Sequence, residues 1–172
     1  CAIDERETLF CWGDTLNPIL THQPTDLRWA SVSVGENHAC GRTLPDDVLV
    51  CWGTELGYGK SEVPDEVLYA DAVEANGGNS CALYASNGVD DYDVFCWGAS
   101  TPVRNDAPEE LDRIEMAPGF ACGMDAGGYI VCWGRNQAGR TAPPDDICGE
   151  DISVARQHAC AVETLTSHVV CW

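Results

Sequence analysis

The sequence predicts an all-β chain assembled from one repeated unit, and three observations carry that expectation. A cysteine followed ten to fifteen residues later by Cys-Trp occurs five times in the 172 residues, at 1–13, 40–53, 81–98, 122–134 and 160–172. The two residues ahead of each second cysteine are Leu9-Phe10, Leu49-Val50, Val94-Phe95, Ile130-Val131 and Val169-Val170, a composition typical of strands. Eight and six residues ahead of the first cysteine, four of the units carry further apolar pairs: Val32 and Val34, Val73 and Ala75, Ile114 and Met116, Ile152 and Val154. That period of two marks a half-buried strand.

Each Cys-to-Cys-Trp segment reads as a β-hairpin. Turn formers lie between the cysteines, among them Pro45-Asp46-Asp47, Asn87-Gly88 and Asp125-Ala126-Gly127-Gly128, and they reverse the chain. The two cysteines then face each other across antiparallel strands, close enough to bond, and the variable spacing records only the length of the hairpin arms. The expected pairs are Cys1 with Cys11, Cys40 with Cys51, Cys81 with Cys96, Cys122 with Cys132, and Cys160 with Cys171. No C-x-x-C occurs in the chain, so the knuckle that a structural zinc site needs is missing.

Ahead of the period-two strands a second signal recurs: Pro24-Thr25-Asp26-Leu27, Pro64-Asp65-Glu66-Val67, Pro108-Glu109-Glu110-Leu111 and Pro144-Asp145-Asp146-Ile147. Short strands with a period of about 40 residues, closed by Trp-Gly, describe β-propeller blades. Seven such units need about 280 residues, and this chain has 172. The expectation is therefore one propeller segment over 1–172, an arc of about four to five blades belonging to a larger ring, each blade four-stranded.

These features together resemble the repeats of the regulator of chromosome condensation family. Val34-Gly35-Glu36-Asn37-His38-Ala39-Cys40, Cys81-Ala82-Leu83 and Trp133-Gly134-Arg135-Asn136-Gln137-Ala138-Gly139 match that repeat best, with Asn79 and Phe120 standing where His38 and His158 keep its histidine. The resemblance implies a seven-bladed ring and, for the short-period, cysteine-bearing version, a bacterial secreted protein. Relatives so implied include a nucleotide-exchange factor and an inhibitor of β-lactamase. Exchange belongs to nucleus and chromatin, so the secreted, inhibitor-like or recognition role is the one expected here.

Cys and Trp in Cys-Trp point to opposite faces of a strand. One staples its hairpin while the other packs against the neighbouring blade, a role expected for Trp12, Trp52, Trp97, Trp133 and Trp172. His38 and His158 repeat at equivalent positions and are expected to serve the blade through hydrogen bonds.

Composition narrows the partners. Nine Lys and Arg stand against 28 Asp and Glu, a formal charge of −19, which repels nucleic acid and anionic membranes. No apolar run is long enough to span a bilayer. Paired cysteines point to an oxidising compartment, and a secreted or cell-surface location is expected.

The remaining candidates are weak. Cys148 has no partner in the frame and is expected to bridge to another chain or segment, or to be a free thiol. Cys1 aligns with Cys160, which favours a staple over an acylated anchor. Asp90, Asp91 and Asp93 sit in a hairpin tip without the full Ca²⁺-loop order, and a solvated turn is expected. Glu163 and His168 fall opposite each other as an ordinary surface pair. No G-x-S-x-G, H-E-x-x-H or phosphate-binding glycine loop occurs. The reading is thus a non-catalytic module without cofactor or metal that binds a protein partner or copies of itself; a small-molecule ligand is not expected. Its rival is a structural subunit of a cell-surface or filamentous assembly. Recognition is expected in the variable loops 14–23, 56–63, 85–93 and 99–107, with Tyr58 and Tyr92 as exposed aromatic anchors.

Overall fold

A computed structural model describes residues 1–54, 58–85, 92–99, 103, 107–145 and 147–172. The chain is all-β in character, an arc of five small antiparallel sheets, or blades, in chain order. The first has two strands, β1 (Ala2–Ile3) and β2 (Leu9–Phe10). The second has β3 (Arg28–Val34), β4 (His38–Leu44) and β5 (Leu49–Gly53). The third has β6 (Ala72–Asn76), β7 (Asn79–Ala85) and β8 (Tyr92–Gly98). Strands β9 (Arg113–Ala117), β10 (Phe120–Met124) and β11 (Ile130–Gly134) form the fourth. The fifth consists of β12 (Gly149–Val154), β13 (Ala159–Glu163) and β14 (Val169–Cys171).

The later four blades each contain three described strands, not the four expected. The Pro-led segments do not add a fourth: Asp65–Val67 is a 3-10 turn. One short helix, α1 (Pro18–Thr21), lies between the first two blades. Proline suits its first turn, where no intrahelical N–H partner is needed, and Asn17 caps it by accepting from the Ile19 N–H at 2.9 Å. Among the described residues no helix is long and apolar enough to cross a membrane.

Disulfides join Cys1–Cys11, Cys40–Cys51, Cys81–Cys96, Cys122–Cys132 and Cys160–Cys171. In the last four blades the bonded cysteines are direct register partners of the outer hairpin.

The core lies in the four seams between blades. Trp52 packs with Leu9, Ile19 and Trp29 over the Cys1–Cys11 staple, and Trp97 packs with Val67 and Val73 over Cys40 and Cys51. Trp133 shares a cluster with Cys81, Cys96 and Leu111; Trp172 joins Cys122, Cys132 and Phe120. Each tryptophan thus covers the disulfide of the blade before it, which follows from the opposite facing of Cys and Trp along a strand.

The glycine of Trp-Gly is required by close approach and backbone conformation together. Gly53 and Gly98 have φ of 127° and 111°, and a Cβ there would lie 2.5 Å from the Asn37 carbonyl oxygen and 2.3 Å from that of Gly78. A side chain would break the hairpin against its own first turn.

Candidate recognition surface

The repeated tryptophans are consumed by the architecture. The indole N–H of Trp52 donates to the Ile19 carbonyl at 3.0 Å, Trp97 to Lys60 at 3.0 Å, Trp133 to Val103 at 3.0 Å, and Trp172 to Arg140 at 3.1 Å. Every acceptor lies in the loop that follows the preceding blade's Trp-Gly, so an indole of one blade locks the loop of the one before. Trp12 departs from the expected packing role and is 70% exposed.

A second lock runs through His38. Its ring is fully buried, with Nε2 3.0 Å from Ser80 Oγ in the third blade. Ser80 donates its own hydroxyl to the Lys60 carbonyl at 3.1 Å; having one proton to give, it accepts from His38 Nε2–H. His38 Nδ1 is left buried without a partner. Burial, reinforced by the Lys60 charge, pushes the imidazole down to about 4, which keeps it neutral. Lys60 is itself buried, its Nζ donating to Asn37 Oδ1 at 2.6 Å. His158, the equivalent of His38, is exposed.

The first strands of adjacent blades carry a polar ladder. Ser33 Oγ donates to Glu74 Oε2 at 2.8 Å while accepting from the Ala75 N–H at 2.9 Å. Burial raises Glu74 to about 7, with Glu115 adding to the rise and Ser33 and Arg113 opposing it. Arg113 reaches Glu115 at 3.3 Å and Asp151 of the fifth blade at 2.5 Å.

Exposed aromatic side chains lie in the loops and linkers. Tyr58 is 76% exposed and holds a left-handed φ of 78°. Tyr92 does not project as expected: β8 begins there, opposite Ala85, and its half-buried ring packs on the cluster of Leu111 and Val103. Tyr69, in the linker ahead of β6, is 68% exposed; nothing in its local sequence separates it from a core aromatic. Of the variable loops, 14–23 contains α1, whereas most of 85–93 and 99–107 lies outside the described residues.

Other candidates resolve simply. Asp90 and Asp91 lie outside the described residues, and Asp93 is a strand residue opposite Tyr84. No group of three or more potential metal ligands occurs among the described residues. Glu163 and His168 pair through the backbone at 2.9 Å, while the Glu163 carboxylate accepts from Thr166. Cys148 is a partly buried free thiol whose backbone bridges Tyr129.

A cavity of about 450 Å³ opens at the turns between the first and second strands of neighbouring blades, and Arg135, Arg140 and Arg156 converge on it. Their spacing along the chain gives no hint of this, since one comes from a hairpin end, one from an interblade loop and one from the turn between β12 and β13.

No family model matches the chain. It is 30% identical over 162 residues to the serine/threonine-protein kinase-like protein CCR2 of Arabidopsis thaliana, covering 78% of this chain and 20% of that protein. In structure it resembles the ectodomain of the Physcomitrella patens receptor kinase CR4, with a TM-score of 0.74, 23% identity, and 90% of this chain against 43% of that one. It also resembles the CRINKLY WD40 ectodomain of the Arabidopsis thaliana receptor kinase ACR4, with a TM-score of 0.73, 26% identity, and 86% against 51%. Yeast RCC1 (Prp20), solved with Kap60, aligns at a TM-score of 0.65 with 10% identity over 87% of this chain and 44% of that one. The chain therefore spans about a fifth of the curated relative and about half of the solved ectodomains, and its fold is that of an RCC1-like propeller repeat.

Proposed function

We propose that the chain is a non-catalytic, extracellular recognition module that binds a protein partner through its interblade loops. One observation carries the reading: the repeated positions are spent on staples and locks, while the segments that differ from blade to blade present Tyr58 and Tyr69 to solvent. Five disulfides suit an oxidising compartment, and the likeness to receptor-kinase ectodomains supports a place outside the cell. The matching curated relative is a plant protein, which lends no support to a bacterial source. Membership in a seven-bladed ring remains part of this proposal, supported by chain coverage of about half of each ectodomain.

The test is capture of cell-surface proteins by the immobilised chain and by its Tyr58→Ala/Tyr69→Ala variant. A partner retained by the first and lost by the second, at unchanged Tm, is expected; equal retention places recognition elsewhere. A second reading, self-assembly, is favoured by the exposed Trp12 and Phe10, at 70% and 53%. Light scattering decides it: a concentration-dependent mass that Trp12→Ala abolishes favours assembly, and a constant monomer mass removes it.

A further inference from the structure

Three of the nine cationic residues of a chain with charge −19 line one cavity. Arg140 is the buried one. It is 5% exposed, and its Nε donates to the Arg135 carbonyl at 2.7 Å while Nη1 donates to that of Arg156 at 2.8 Å. The guanidinium carbon stands 4.7 Å from the centroid of the Phe120 ring, an arrangement that holds the plane still. Its Nη2 abuts Gly119, where a Cβ would come within 3.7 Å, and Gly119 is itself part of the cavity wall. Among the described residues no carboxylate lies within 4.0 Å of the guanidinium groups of Arg135, Arg140 or Arg156, whereas Arg28, Arg42 and Arg113 all have such partners. A buried guanidinium held only by carbonyls and a ring face is fixed in place but not neutralised. Among the described residues Glu36 is the one acidic residue lining the cavity, so three positive charges against one leave an excess of two there.

We propose that this cavity binds a doubly charged oxyanion: inorganic phosphate, inorganic sulfate or a phosphate monoester. Guanidinium groups present paired N–H donors to such oxygens, and the Arg140 fork is already oriented. The charge of the rest of the molecule narrows the carrier. A polyanion such as nucleic acid meets repulsion over the surrounding surface, whereas one oxyanion on an otherwise neutral or basic carrier does not. The inference does not rest on the loop reading above, since it involves neither Tyr58 nor Tyr69.

The experiment is isothermal titration of the intact, disulfide-bonded chain with sodium phosphate, sodium sulfate and N-acetyl-O-phosphoserine amide, at an ionic strength held constant with sodium chloride. Saturable binding of at least one probe is expected. Arg135→Gln and Arg156→Gln should each weaken it about tenfold or more. Both side chains are exposed and only their carbonyls serve Arg140, so the fold is kept, which near-UV circular dichroism checks. Arg6→Gln, with an exposed residue outside the cavity lining, should bind like the parent. An ester that binds more tightly than free phosphate identifies a group carried by a partner; an ester that binds no better identifies the free ion. Heat that tracks ionic strength alone, or binding undiminished in the Arg135→Gln/Arg156→Gln double variant, overturns the proposal.

Discussion

Sealed in the seam between the second and third blades, His38 couples folding to pH. Its folded value is depressed to about 4 from 6.5, so between those limits the unfolded chain binds the extra proton. The stabilisation is complete above pH 6.5 and is lost as pH falls toward 4, on the order of 3 kcal/mol for a fully buried imidazole. Glu74 acts in the opposite sense. Raised to about 7 from 4.5, it favours the folded state most below pH 4.5 and loses that contribution as pH rises through 7. The two slopes oppose each other between pH 4.5 and 6.5. Urea midpoints measured across pH should therefore steepen toward acid in Glu74→Gln, whereas His38→Asn, which installs the residue found at the equivalent Asn79, should flatten the acid limb. The tryptophans differ just as sharply. Trp52→Ala should cost about 3–5 kcal/mol by chemical denaturation, and Trp12→Ala, at a 70% exposed site, should lie within about 0.5 kcal/mol of the parent. At this scale the sequence misled on Trp12 and Tyr92. Repetition makes Trp12 look like its counterparts although its ring is exposed; a tyrosine beside a run of aspartates looks like loop although β8 extends to include it.

The hairpin is the element that sequence resolves best, because everything that defines it is local. Strand composition, turn residues and register all lie within one Cys-to-Trp segment. The residue after the first cysteine belongs to the same logic. At Gly41 a Cβ would meet the Ser31 carbonyl oxygen at 2.5 Å and the Trp29 ring at 2.8 Å, and at Gly123 it would meet Leu111 at 2.2 Å; the other units use alanine there. Gly41→Val should accordingly destabilise by about 1–3 kcal/mol, read from the urea midpoint. Removing one staple through Cys81→Ser/Cys96→Ser should cost about 3 kcal/mol by releasing the loop it closes in the unfolded chain, again read by denaturation. What remained illegible is what lies between elements. The acceptors Ile19, Lys60, Val103 and Arg140 share a carbonyl position but no side-chain type, so no pattern announces them. The arginine cavity is hidden for the same reason, since turns from four blades are needed to bring its lining together.

Across the whole molecule, stability comes from neighbour-to-neighbour seams, and the proposed recognition rests on what differs between blades. With a charge of −19, the chain should show no binding to plain duplex DNA at physiological salt in an electrophoretic shift assay, even if the arginine cavity takes a small oxyanion. Each indole reaches from a later blade to the loop of an earlier one, and the His38 imidazole reaches the other way, from the earlier blade to Ser80 of the later. The two faces of a blade are thus different and mutually complementary, never self-complementary. Copies that used these faces to associate would be bound to join head to tail, a heterologous contact that closes only as a cycle or runs on as a fibre. A twofold dimer through this lock is forbidden by the direction in which its hydrogen bonds are given.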